Sequence, residues 1–102
     1  MPGRRLRFNA AAEAELEAAA DWYEQRRPGL GARFVTAVDV TIAAVLEAPR
    51  RHRQVAGTGR ALTPRFPYVI VYRELSAEEI EIVAVAHVKR RPGYWSDRTT
   101  SR

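Results

Sequence analysis

Three features of this sequence predict an α+β fold in which a helical hairpin packs on one face of a small antiparallel sheet. Residues 10–47 carry apolar side chains at helical spacing, interrupted once by Pro28-Gly29-Leu30-Gly31. Residues 66–87 hold two runs that alternate with the two-residue period of a strand, joined by a short polar turn. A shorter alternating run, Arg4 to Phe8, precedes the helices. The resulting order is β-α-α-β-β-β. The shared apolar side of the hairpin has only the strands to lie on.

Each element has a local cause. Between Arg4 and Phe8, Leu6 and Phe8 point one way and Arg5 and Arg7 the other. Such a strand suits a sheet edge, where charge discourages stray pairing. Asn9 is a good helix cap, and Ala10 to Arg27 is rich in the helix formers Ala, Glu and Leu. Ala12, Leu16, Ala19, Ala20 and Tyr23 form the stripe expected to be buried. The Pro-Gly hinge turns the chain, and Leu30 to Glu47 resumes the helical period. Its stripe is Leu30, Phe34, Ala37, Val38, Thr41, Ile42, Val45 and Leu46, and Pro49 stops it. So short a link predicts antiparallel helices.

Arg50 to Arg60 reads as a polar, basic loop, and Arg60 to Thr63 as a short strand. Gly57-Thr58-Gly59 lets the backbone approach a phosphate but forms no nucleotide-binding fingerprint, and no strand is expected before it. A plain flexible loop is the favoured reading. Phe66 to Leu75 alternates Phe66, Tyr68, Ile70 and Tyr72 against Pro67, Val69, Val71 and Arg73. Both sets are largely apolar, so an interior strand is expected. Ser76 to Glu79 is a turn. Ile80 to His87 then sets Ile80, Ile82, Ala84 and Ala86 against Glu81, Val83, Val85 and His87. The whole chain, 1–102, reads as one domain with a basic tail, free to flex, from about residue 96.

Composition excludes several function classes. There is no cysteine, so neither a disulfide framework nor a thiolate metal site can form. His52 and His87 are too few for a histidine metal cluster, and neither metal nor cofactor is expected. No apolar run reaches the roughly 20 residues of a membrane helix. The opening MPGRRLRF lacks an apolar core for a signal peptide, so a cytoplasmic location is expected. The net charge is +5, and of the 17 basic residues only Lys89 is lysine. The arginine preference has two readings, a GC-rich genome or an anionic partner such as nucleic acid or an acidic protein. Position favours the partner. Arg50 to Arg73 holds six arginines and no acid, while acids gather at Glu13 to Glu24 and Glu74 to Glu81.

After His87 the chain reads Val88-Lys89-Arg90-Arg91-Pro92-Gly93-Tyr94-Trp95. This H-x-x-R-x-P-x-Y-W pattern resembles the C-terminal signature of the RelE/ParE toxin superfamily of bacterial type II toxin–antitoxin systems. Ala19-Ala20-Asp21-Trp22-Tyr23-Glu24, Pro28-Gly29-Leu30-Gly31 with Arg33-Phe34, and Arg65-Phe66-Pro67-Tyr68-Val69-Ile70-Val71-Tyr72 match the superfamily in order and spacing, over roughly residues 4 to 98. The resemblance implies a growth inhibitor neutralised by a cognate antitoxin, in a hetero-oligomer, with no membrane. It implies one of two targets: messenger RNA in the ribosome, cut by RelE-like members, or DNA gyrase, poisoned by ParE-like members. RelE-like members carry a key arginine where Val69 stands here. The chain therefore resembles the ParE-like branch, whose members often bear only the label of plasmid-stabilisation protein.

The candidate target- or antitoxin-binding residues are Arg60, Arg65, Arg73, Arg90, Arg91, Tyr94 and Trp22. A second reading is a metal-independent, ribosome-dependent endoribonuclease. There Arg60, Arg65 and Arg73 stabilise phosphate, and His87 or Tyr94 serves as acid or base. A third is an inactive toxin relic that only forms a complex. Each residue also has a plainer role. His87 can be a hydrogen-bonded residue at the sheet's end, and Arg65 and Arg73 can be solvated or paired with Glu74 or Glu81. Trp95 is expected to pack on the sheet and hold the tail.

Overall fold

A computed structural model of the chain describes residues 3–99. Strand β1 (Arg5–Phe8) leads into helices α1 (Ala10–Arg26) and α2 (Leu30–Glu47). Strands β2 (Arg53–Val55), β3 (Thr58–Leu62), β4 (Tyr68–Ser76) and β5 (Glu79–His87) come next, and a 3-10 turn at Ser96–Arg98 ends the described chain. The strands form one sheet in the order β1-β5-β4-β3-β2. The α+β class and the helical hairpin on one face are as expected, and β1 does lie at an edge.

Two features differ from the expected antiparallel sheet of four strands. β1 pairs with β5 in parallel, Arg5 opposite Glu79 through Phe8 opposite Ile82, so the sheet is mixed. The crossover through both helices returns the chain in the direction that makes this pair parallel. Within the stretch expected to be a loop, Arg53–Val55 pairs antiparallel with β3. This strand is short, polar and largely exposed, so its alternation carries no signal.

The helix ends are satisfied by nearby side chains, Asn9 as the sequence suggests and Glu24 and Arg4 in addition. The Asn9 side chain accepts from the Ala11 amide at 2.8 Å, capping α1. At the hinge, Gly29 adopts φ +89°, a conformation that favours glycine. The Glu24 carboxylate takes the place of a side-chain cap for α2, accepting from the amides of Gly29 and Gly31. At the far end of α2, Arg4 donates to the Leu46 carbonyl at 2.7 Å.

The main core lies between the hairpin and the sheet. Ala12 and Ala19 of α1 and Phe34, Val38, Ile42 and Val45 of α2 meet Ala61, Ile70, Tyr72, Ile80, Ile82 and Val85 of the strands. A second, smaller core covers the opposite face, where Val71, Val83, Ala84 and Ala86 pack under Trp95. Trp95 is 6% exposed, which is the packing role expected of it. Of the basic tail, residues 96–99 are described and 100–102 lie outside the described residues.

Candidate functional site

The strict alternation read along β5 breaks at Val83. Val71 pairs with Ala84 and Tyr72 with Ile82, so Val83 is an extra residue, a β-bulge. The bulge reverses the phase of every later side chain. Val85 joins Ile80 and Ile82 in the helix-side core, while Ala84 and Ala86 join Val83 on the open face. His87 keeps the phase of Val85. It stands opposite Tyr68 with ring centroids 5.2 Å apart, bordering α1. Its Nδ1 accepts from the Lys89 amide at 3.0 Å, so the neutral ring carries its proton on Nε2.

Arg60 and Arg73 belong to the open face. Arg73 Nε donates to Glu81 Oε1 at 2.7 Å, and its terminal nitrogen donates to the Thr99 carbonyl at 3.2 Å. This pair is sheltered, the side chains being 25% and 11% exposed. The Arg60 guanidinium lies 4.9 Å from the centre of the Trp95 ring. The proposed acid or base His87 and two of the phosphate-holding arginines are therefore on opposite sides of the sheet.

Tyr94 belongs to a third arrangement, at the edge of β5 beyond the reach of β1. There Glu15 of α1 performs the work of a neighbouring strand. Its Oε1 accepts from the Val85 amide at 3.0 Å, and its Oε2 accepts from the Tyr94 hydroxyl at 2.7 Å. Arg98 clamps the same carboxylate with two nitrogens, at 3.0 and 2.9 Å, and donates to the Val83 carbonyl at 3.0 Å. Burial pushes the Glu15 carboxyl up. The hydrogen bonds from Arg98, Tyr94 and Val85 and the charge of Arg98 outweigh this and hold it below its ordinary value. Burial, with the Glu15 hydrogen bond and charge, pushes the Tyr94 hydroxyl up to about 12. At neutral pH it is a donor, not a base. Sequence reasoning misses Glu15 and Arg98 because a glutamate in an alanine-rich helix carries no local sign of a partner 70 residues away.

The remaining candidates surround two shallow grooves at the end of the sheet where β4 begins and β5 ends. The larger, about 860 Å³, lies between Leu30, Arg33 and Val40 of α2 and Arg65 and Phe66. The smaller, about 590 Å³, lies between Trp22 of α1 and Tyr68, His87 and Arg90. Tyr23 and Pro67 line both, so the grooves adjoin. Trp22 and Val40 are 50% and 57% exposed, with the Arg26 guanidinium 4.1 Å over the Trp22 ring. Arg65 sits at φ +70°, unusual for a residue with a side chain. The ion pairs among the described residues involve Arg5, Arg7, Arg50, Arg73 and Arg98. Arg65, Arg90 and Arg91 are exposed and pair with no carboxylate there. Arg90 instead lies over the Tyr94 ring at 3.9 Å. Apolar grooves rimmed by cations suit an apolar, acidic partner. Among the described residues no three His, Asp or Glu side chains gather as a metal site requires.

Comparison with known proteins agrees with the fold. Residues 6–92 match the family described as the ParE toxin of the type II toxin–antitoxin system, parDE. Among solved structures, a chain of the chromosomal ParDE TA system from P. aeruginosa superposes with a TM-score of 0.70 at 19% identity, over 82% of this chain and 95% of that one. At that identity the likeness is one of fold. No curated protein matches.

Proposed function

Because this chain belongs to the ParE toxin family of type II toxin–antitoxin systems, we propose that it is a cytoplasmic growth inhibitor, neutralised by a cognate antitoxin, that acts by binding DNA gyrase without catalytic chemistry of its own. The observation that carries this reading is that the sheet separates His87 from Arg60 and Arg73, the groups that the endoribonuclease reading needs together. General acid–base cleavage of RNA needs a base, an acid and phosphate-stabilising cations converging on one phosphodiester. Here His87 faces the helices, Arg73 is bound to Glu81 on the other face, and the Tyr94 hydroxyl is engaged by Glu15.

Exposed residues serve binding directly. Arg65, Arg90 and Arg91 present to the target a charge that no carboxylate among the described residues pairs, and Trp22 offers an apolar anchor to the antitoxin. Arg60, Arg73 and Tyr94 act indirectly, by holding the open face and the tail in place.

A translation reaction containing ribosomes, messenger RNA and the protein freed of antitoxin tests this reading. Binding without catalysis leaves the messenger intact. Ribosome-dependent cuts that disappear in His87→Ala would establish the endoribonuclease instead.

A further inference from the structure

We propose that Glu15 is the positioning residue of the basic loop 88–93, fixing through Tyr94 and Arg98 the placement of Arg90 and Arg91. The inference deepens the binding reading above, on which its target clause rests.

The loop leaves the sheet at His87 and re-enters the fold at Tyr94. Its first end is fastened by the backbone: the Val88 amide donates to the Pro67 carbonyl at 2.9 Å, and the Arg90 amide to the His87 carbonyl at 3.0 Å. Its second end turns at Gly93, φ +80°, and is closed locally. The Tyr94 amide donates to the Arg91 carbonyl at 3.3 Å and the Ser96 amide to the Gly93 carbonyl at 3.0 Å, bonds that tie this end to neither sheet nor helix. Trp95 supplies apolar packing, which is not directional. Direction relative to α1 and β5 comes from Glu15. Its carboxylate receives Tyr94 and Arg98 together and ties both to α1 and to the Val85 amide.

The chain of contacts runs outward from there. Glu15 fixes the Tyr94 hydroxyl, and so the direction of the ring's long axis, while edge-on packing against Trp95 sets its plane. The Arg90 guanidinium lies 3.9 Å over that ring. Arg90 also borders the smaller groove, as Glu15 itself does. The Glu15–Arg98 pair is sheltered, its side chains 18% and 19% exposed, so solvent screens it only partly. An ordered loop loses less freedom on binding than a floppy one, and affinity rises accordingly.

The test uses the full chain as wild type, Glu15→Gln, Tyr94→Phe, Arg98→Ala and Arg98→Lys. Amide hydrogen exchange is read segment by segment, and gyrase supercoiling is assayed beside it. In Glu15→Gln and Arg98→Ala, exchange over residues 88–99 should rise about tenfold or more while β4 and α2 stay protected. Tyr94→Phe should loosen the same segment less. Arg98→Lys, which keeps the charge but not the two-nitrogen fork, should recover part of the protection that Arg98→Ala loses, a rescue that mere space-filling does not give. Potency against gyrase should fall in the same order, by roughly tenfold for Glu15→Gln. Unchanged exchange over 88–93 in both Glu15→Gln and Tyr94→Phe would overturn the proposal, even if Arg98→Ala failed to fold. Looser exchange with undiminished potency would overturn it too. Wild-type protein that leaves gyrase untouched counts against the gyrase reading alone, and the exchange result then still decides for or against Glu15.

Discussion

His87 and Arg73 lie on opposite faces of the sheet, the imidazole edge-on to Tyr68 beneath the helices and the guanidinium bound to Glu81 at 2.7 Å on the other side. The separation arises from the single extra residue at Val83. Without that bulge, His87 would share the face of Val83 and Arg73, as the plain alternation of the sequence implies.

Arg73 is thereby expected to be structural. Glu81 is 8% exposed, and removing Arg73 leaves it buried without its cation. Arg73→Ala should destabilise the fold by about 1–3 kcal/mol, the range for stranding a sheltered charged group. Arg73→Ala with Glu81→Ala should recover part of that loss. Urea unfolding of the two single variants and the double variant measures the coupling.

Arg65 should behave in the opposite way. Its left-handed backbone costs about 1–2 kcal/mol relative to glycine, and no ion pair among the described residues offsets it. Arg65→Gly should leave stability unchanged or raise it by up to about 1 kcal/mol, since glycine gains freedom in the unfolded chain as well. The same change should weaken target binding and make it less sensitive to salt. Thermal melts and a salt series on the binding constant separate the two effects.

Gly59 has no room for a side chain. A Cβ there would run into the ring of Tyr72, which is fully buried and whose hydroxyl donates to the Pro49 carbonyl. Gly59→Ala should cost about 1–3 kcal/mol, as overpacking generally does. Tyr72→Phe should cost about 1–2 kcal/mol by leaving that carbonyl without its donor. Denaturant midpoints at unchanged slope would be the expected pattern.

The Glu15 lock should hold across a broad pH range and fail at both ends. The carboxyl is held below its ordinary value, so its contribution is complete above the unfolded value, near 4.5, and is lost as pH falls through the lower folded one. The Tyr94 hydroxyl is raised from 10 to about 12, so its contribution is complete below 10 and is lost as pH rises through 12. The groups facing this carboxylate are Tyr94, Arg98 and the Val85 amide, with Arg90 stacked on Tyr94, and Tyr68 of β4, whose hydroxyl is pushed up by burial and then by the Glu15 charge. Stability measured against pH should lose its acid-side slope in Glu15→Gln relative to wild type.

Much of the fold is legible in the sequence because its signals are periodic and local. The apolar stripes of both helices and the alternation of β4 appear in the burial as expected, from Ala12 and Phe34 to Ile70 and Tyr72. The features that escape are set by geometry between distant residues. β2 has three residues and is defined only by its pairing with β3. The Val83 bulge cannot be read from Ile82-Val83-Ala84-Val85, where every side chain is apolar and either face accepts any of them. The candidate residues are legible as charged and aromatic types, not as places. Arg65, Arg90, Arg91 and Trp22 are exposed, while Arg60, Arg73 and Tyr94 are engaged by Trp95, Glu81 and Glu15.

The most direct test of a gyrase-binding toxin is a supercoiling titration with purified gyrase and the protein freed of antitoxin. Supercoiling should fall as the ratio of protein to gyrase rises, saturate, and recover when antitoxin is added. Arg65→Glu with Arg91→Glu should shift the midpoint by about tenfold or more at unchanged thermal stability. Full supercoiling activity at saturating, folded protein would contradict the gyrase reading outright.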